Sequence, residues 1–483
     1  MNPALRNALI TLACSALAVW LGFDIAEGSY RWPALFGSVA LAAVCVRLWR
    51  LPFDVIVIGW IIIGYIVGNR GFAQLMPIPE APLLPAEAAL ALALGWRFVL
   101  SARERALPIK RDPLNGLVLA WLLVGTARIP FDVPRFGLLA VRDYAMIYYA
   151  AFFFIAQHMA REAPARRYLI GCVLVASVAV LPIFELATAF PGFFLSTFTV
   201  KGSPLVYFKG DLAMTFIAVG GVLIFHTAAG RWRYLAWPLA AAILPYVVSS
   251  DSRAALLGAV LAAMMLALAR RPRLLAWQGS ALLLAGIVVT CLALFNVTWA
   301  ERKIEGVYHR VQSIVDVSGT RAYETEDNSM KGDNNRFRLV WWRNVAVETL
   351  RTNPTFGLGF GHDLAAGFVR EYYPESGEEF ATRSPHNIAV TAFGRLGLVG
   401  VLVWAALCFE IVRRTWRAMH ASPEPLGWAL WSAVLMILVS ATFGVVLEGP
   451  MGAVPFWVLL GLAAAGGPAA AALPPETRPD SAS

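Results

Sequence analysis

The sequence predicts an all-α integral membrane protein: a polytopic helical bundle of about 12–14 transmembrane helices, with one large extracytoplasmic loop before the last three spans. Three observations carry that expectation. The mean hydropathy is +0.64, and 59% of residues are hydrophobic against 15% charged, a balance foreign to water-soluble domains. Apolar runs recur along all 483 residues, many close to the roughly 20 residues a helix needs to cross a bilayer. One hydrophilic island, Asn296 to Ser384, interrupts them near the C-terminus.

Taken in order, spans start near Ala8, Pro33, Phe53, Leu83, Leu114, Tyr144, Tyr168, Leu212, Tyr234, Arg253, Leu274, Pro385, Leu426 and Met451. Phe53–Val67 and Met451–Ala465 are short, and Val248–Arg253 is barely long enough to turn the chain. Residues 1–296 then hold the first eleven helices, 297–384 the large loop, 385–466 the last three helices, and 467–483 a Pro/Ala-rich disordered tail. The short connections after even-numbered spans are basic: RLWR (47–50), RFVLSARERALPIKR (97–111), REAPARR (161–167), GRWR (230–233), RRPR (270–273) and RRTWR (413–417). Lys and Arg favour cytoplasmic loops, so a single assignment, both termini cytoplasmic, accounts for every one of them and puts the island outside. The first apolar run has little basic flank and no small-x-small cleavage site, and reads as a retained anchor. All five cysteines (Cys14, Cys45, Cys172, Cys291, Cys408) fall inside predicted spans, as small apolar residues rather than disulfide partners or thiolate ligands. The net charge of +9 is partly a topology signal. The cations on the outer side are not.

Those cations are the first candidates for chemistry. Arg253 lies in SSDSRAALLG at the outer mouth of a span, and Arg142 occupies a similar place in VRDYAMIYY. Arg336, Arg338 and Arg343 recur in NRFRLVWWRN, which reads as an amphipathic helix ended by Asn353-Pro354. Guanidinium groups offer fixed donors and a permanent charge, matching phosphate oxygens. The competing reading is an arginine that snorkels to the interface or pairs with a nearby carboxylate, which is expected of Arg343; Arg253 and the Arg336/Arg338 pair stand beside Gly, Asn and Ser, which favours a binding role. His386 follows Ser384, a possible N-cap, and Pro385, which fits the first helical position; the reading places His386 in the opening turn of a helix. The positive helix end and nearby arginines disfavour imidazolium there, and a neutral histidine can serve as a general base. An interfacial histidine bonded to the loop is the competing reading. His309 and His362 share the island, while His158, His226 and His420 lie in or near the cytoplasmic half. No His/Cys/Asp cluster has metal-ligand spacing, no P-loop is present, and GLGFGHD lacks the strand–helix setting of a dinucleotide site. Arginines and a candidate base beside a lipid phase fit a metal-independent transfer from a phosphate-bearing lipid.

SRAALLG, the Arg338-x-x-x-Trp342 element followed by NPTFGLGFG, and then HN…GRLGLVG occur in an order and spacing that resembles the O-antigen ligase and polymerase superfamily, from roughly Val248 to Gly400. The resemblance implies a glycosyltransferase at the periplasmic face of the bacterial inner membrane. Its donor would be a glycan on undecaprenyl diphosphate. Its acceptor would be lipid A–core sugar (a ligase, in lipopolysaccharide biosynthesis) or another carrier-linked repeat (an O-antigen or exopolysaccharide polymerase). A related branch modifies protein Ser/Thr hydroxyls. Membrane lipids would be its other partners, with no nucleic acid and no cofactor or metal. By that analogy His386 corresponds to the loop-end general base, and Arg253 with Arg338 or Arg336 to the residues holding the donor diphosphate; Arg142 is a looser match. Trp341, Trp342 and Tyr372 could contact acceptor or donor sugars, or pack at the membrane interface. The chain departs from the family pattern at Arg395, where an acidic residue is common. A flippase or exporter of lipid-linked sugars, the reading from another class, predicts polar residues deep in several spans and two-fold internal symmetry; Glu87, Glu185 and Arg395 are the few candidates, and no symmetry is visible.

Overall fold

The computed structural model describes residues 51–75, 84–104, 109–200, 202–227, 252–268, 326–373, 384–421 and 425–466, together with scattered positions between 234 and 308. The spans expected near Ala8 and Pro33, most of those near Tyr234 and Leu274, much of the island, His309 and the tail lie outside the described residues.

What is described is helical and polytopic, as the composition requires. In chain order the first elements are α1 (Phe53–Ile63), a π-helical turn (Gly64–Gly68), α2 (Asn69–Ala73), α3 (Pro85–Glu104) and α4 (Pro113–Phe136). Next come α5 (Leu138–Asp143), α6 (Ala145–Tyr148), α7 (Ala151–Met159), α8 (Ala163–Ala189) and α9 (Pro191–Ser196). A two-residue hairpin, β1 (Thr199–Val200) and β2 (Ser203–Pro204), pairs antiparallel with Thr199 opposite Pro204. Then follow α10 (Gly210–Thr227), α11 (Arg253–Leu268), α12 (Glu326–Thr352), α13 (Ala366–Tyr372), α14 (Ile388–Ala421), α15 (Pro425–Ala441) and α16 (Pro450–Ala465).

Among the described residues six helical stretches are long and apolar enough to span a membrane: Phe53–Ala73, Pro113–Phe136, Leu138–Met159, Ala163–Ala189, Gly210–Thr227 and Ile388–His420. Arg253–Met265, Pro425–Ala441 and Pro450–Ala465 are shorter apolar helices. The π-helical turn carries the short Phe53 run on to Ala73. Local chemistry sets the boundaries. Asp112 caps α4 by accepting from the Leu114 amide at 2.8 Å, Pro113 fills its first turn, and Gly137 ends it at φ +58°.

Helix α10 packs between α8 and α15, α11 lies on α15 and α10, α7 lies against α16, and α14 bridges α4 and α15. Buried Val, Ile, Leu and Phe side chains run through this bundle as one continuous core. Helix α12 is amphipathic: Trp341, Val345 and Thr349 are buried at four-residue spacing, while Arg336, Arg343 and Leu350 are exposed. It ends at Thr352, ahead of the expected Asn353-Pro354 stop, and Asn353 Oδ1 accepts from the Phe356 amide at 3.1 Å. Its buried face joins Leu358, Leu364 and Phe368 in a second, smaller core that sits on α14.

Candidate active site

The segment 384–387 departs from the expected helix start. His386 is not in the opening turn; it adopts φ +58°, the left-handed region, and α14 begins at Ile388. Asn387 is the cap. Its Oδ1 accepts from the Ala389 amide at 2.9 Å and the Val390 amide at 3.2 Å, a span Ser384 cannot reach while its hydroxyl is engaged elsewhere. Ser384 Oγ instead donates to Glu448 Oε1 at 3.0 Å, and Trp342 Nε1 donates to the Pro385 carbonyl at 2.7 Å. The imidazole stands edge-on to Trp341 and Phe337, with ring centroids 5.7 and 6.4 Å away. Its Nδ1 is buried without a hydrogen-bond partner among the described residues.

The charges around His386 are cationic. Burial first, then Lys209, then Arg338, push its pKa down to about 4, so the ring is neutral near pH 7; a contact with the Ser384 backbone acts weakly the other way. Arg338 also loses proton affinity through burial and through repulsion from Arg253, with Asp211 only partly compensating. Burial likewise lowers Lys209, opposed by Glu448 and Asp211 and reinforced by Arg338 and Arg70. Four cations (Arg338, Arg253, Lys209, Arg70) thus share a neighbourhood with two carboxyl groups, Asp211 and Glu448, and burial raises the pKa of Glu448. Arg253 Nη1 donates to Asn335 Oδ1 at 2.7 Å, which ties α11 to α12 beside Arg338. Lys209 is set by its amide bond to Asn69 Oδ1 (2.9 Å) and by its Nζ donating to the Val445 carbonyl (3.0 Å). The N-terminal ends of α10, α11 and α14 therefore meet here, and their dipoles add to the pull on an anion.

His386, Arg253 and Arg338 are brought together. Arg336, two residues from Arg338, is exposed on the other side of α12. Arg142 is exposed on α5, and among the described residues no hydrogen bond or ion pair ties it to the cluster. Trp341 is fully buried, stacked on Phe368 at 4.8 Å with Nε1 donating to the Leu364 carbonyl, so its faces are taken up by packing. Trp342 holds the His386 loop through Pro385. Tyr372 is half-buried against Phe337 and Phe368. Arg343 pairs with Glu371, the structural role expected of it. His362 Nε2 is 2.8 Å from Glu348 Oε1. Lys209 and Glu448 escaped the sequence reading, because each looks like an ordinary flank at the mouth of a span. Among the described residues no group of His, Cys, Asp or Glu is placed to hold a metal ion.

The glycine-rich loop serves as a wedge rather than a cradle. Gly357, Gly359 and Gly361 have φ of +74°, +96° and +88°, a region closed to most side chains. A Cβ on Gly359 would collide with the Asp132 carboxylate, which accepts from the Phe360 amide at 2.7 Å and pairs with Arg128 at 3.0 Å. The unusual Arg395 is buried here. It pairs with Asp143 at 2.6 Å and donates to the Gly359 carbonyl at 3.1 Å and to the His362 carbonyl. Its charge is spent on fastening the loop to α5, away from the cation cluster.

No curated protein matches the chain. Residues 238–405 match the family model described as O-Antigen ligase, a stretch that contains Arg253, Arg338, the glycine loop and His386 but neither Lys209 nor Glu448. Over that segment this multi-pass membrane protein is similar to the O-antigen ligase family.

Proposed function

We propose that the chain transfers a glycan from undecaprenyl diphosphate to an acceptor sugar hydroxyl at the periplasmic face of the inner membrane, as an O-antigen ligase or as an O-antigen or exopolysaccharide polymerase, without metal or cofactor. The observation that carries this reading is the neutral, half-buried His386 beside Lys209 and Arg338, with Arg253 next to Arg338. A cluster of cations beside a neutral base suits a polyanion, and a diphosphate supplies one.

In this mechanism the donor diphosphate rests against Arg338, Arg253 and Lys209, with its polyprenyl chain among the spans. The acceptor oxygen attacks the anomeric carbon and gives its proton to His386. The carbon–oxygen bond to phosphate breaks in line, its electron pair leaves with the diphosphate, and the anomeric configuration inverts. Charge growing on that leaving group is what the cations stabilise in the transition state. The same anion offsets the two charges that depress His386, so the base strengthens once donor is bound.

The test is the full-length protein in liposomes with a labelled undecaprenyl-diphosphate-linked glycan and acceptor. Release of undecaprenyl diphosphate by wild type, reduced on the order of 100-fold or more in His386→Ala, is expected. Movement of the lipid-linked glycan across the bilayer unchanged would make the protein a transporter. Unimpaired release by His386→Ala would remove the base assignment. Transfer to protein Ser/Thr hydroxyls instead of sugar would point to the protein-modifying branch.

A further inference from the structure

Glu448 belongs to neither donor binding nor proton transfer as set out above, yet it is the most connected carboxylate beside them. It lies in the non-helical segment between α15 and α16. Its Oε1 accepts from Ser384 Oγ at 3.0 Å and from Thr391 Oγ1 at 3.2 Å, and its Oε2 accepts from the Val446 amide at 3.1 Å. Ser384 precedes His386 by two residues; Thr391 stands in the first turn of α14, its single hydroxyl proton shared between Glu448 Oε1 and the Asn387 carbonyl 2.9 Å away. The carboxylate therefore brackets His386 from both sides. The same segment is fastened at Val445 to Lys209 Nζ.

A left-handed backbone at a non-glycine residue persists only where its surroundings over-determine it. For His386 the fastenings are Trp342 on Pro385, the Asn387 cap, and Glu448 on Ser384 and Thr391. Trp342 and Asn387 act along α12 and α14. Glu448 alone of these couples the histidine's turn to the last helices and, through Val445, to Lys209.

We propose that Glu448 is a positioning residue for the transfer reaction: acting through Ser384 and Thr391, it holds His386 in the left-handed turn that sets the imidazole beside Lys209 and Arg338. This rests on the proposed function. A carboxylate that merely fastened helix ends would affect how much protein folds and leave the turnover of each folded molecule alone.

The experiment compares full-length wild type, Glu448→Ala, Glu448→Gln, the pair Ser384→Ala with Thr391→Val, and the triple variant combining Glu448→Ala with that pair. All are purified as monodisperse protein in liposomes with undecaprenyl-diphosphate-linked glycan and acceptor. Misplacing a catalytic group by about 1 Å costs up to about 100-fold, so Glu448→Ala should lose about that in kcat while donor KM stays within about twofold. Glu448→Gln keeps an amide oxygen for Ser384 and Thr391 and should retain more activity. The Ser384/Thr391 pair should reproduce the loss, and the triple variant should be no worse, because all act along one path. An unchanged kcat in Glu448→Ala, a loss seen only as raised donor KM, or additive losses in the triple variant would overturn the role. If Glu448→Ala does not fold, an unchanged kcat in the Ser384/Thr391 pair does the same. A wild type that releases no undecaprenyl diphosphate brings down the transferase reading itself, an outcome distinct from wild-type turnover with undisturbed variants.

Discussion

Arg338→Gln should separate binding of the donor from stability of the fold, because the two respond with opposite signs. Arg338 sits half-buried next to Arg253, and the surroundings disfavour its charged form. A cation whose proton affinity is lowered by folding costs stability when charged, so removing the charge leaves the empty protein as stable as wild type or more so. Turnover should move the other way. A unit charge about 4 Å from a phosphate oxygen is worth about 4 kcal/mol at an effective dielectric near 20. Partial exposure and relief of the Arg253 repulsion reduce that to about 3 kcal/mol net, or about 100-fold in rate at 1.36 kcal/mol per decade. The assay pairs release of undecaprenyl diphosphate at limiting donor with thermal unfolding in detergent. Arg336→Gln is the matched control: it lies two residues away, exposed, and should stay within about threefold of wild type. Equal losses in the two variants, or wild-type turnover in Arg338→Gln, would refute the assignment of Arg338 to the donor. A large drop in unfolding temperature would refute the account of its electrostatics.

Lys209→Gln should move the acid limb of the pH–rate profile upward: Lys209 lowers the proton affinity of both His386 and Glu448, so losing its charge raises both; a limb that stays put or falls would contradict this. Gly359→Ala should cost about 4 kcal/mol of stability, from backbone strain at φ +96° and displacement of the Asp132 carboxylate, read as thermal unfolding in detergent. Arg395→Met should destabilise by about 3–5 kcal/mol, since it strands Asp143, and adding Asp143→Asn should restore part of that in the same measurement.

The helical, membrane-spanning class was readable because hydropathy at the length of a bilayer is a local property. So was the stop of α12, where Asn353 and Pro354 act on their immediate neighbours. Local rules also produced the error at His386. Ser384-Pro385 has the residue types of a helix start, but Glu448, 64 residues further on, takes the serine hydroxyl, and Asn387 becomes the cap. Lys209 and Glu448 show the same limit from the other side. Each is a single charge at the mouth of a span, and only the packing of α10, α14 and the 442–449 segment gives them a common neighbour. Arg395 looked like a disturbance to the site because the partner that absorbs its charge, Asp143, lies on α5, far away in sequence.

Helix α14 is broken at Gly397, whose φ and ψ are +63° and −154°. The loop closes the gap: the Leu358 amide donates to the Gly394 carbonyl at 2.7 Å and the Gly359 amide to the Arg395 carbonyl at 3.2 Å, while the Leu398 and Val399 amides donate to the Pro354 and Thr355 carbonyls at 2.8 and 3.2 Å. Gly357 and Gly397 meet so closely that a methyl on either would strike the other's backbone at 2.5 Å. Backbone groups left open inside a spanning helix cannot turn to lipid for partners. The helix is thus incomplete until the 354–359 segment has folded into it. Assembly of the last spans and folding of the segment that precedes them become one cooperative event, so a lesion in residues 354–359 should show itself as failed assembly of the C-terminal helices rather than as a local defect.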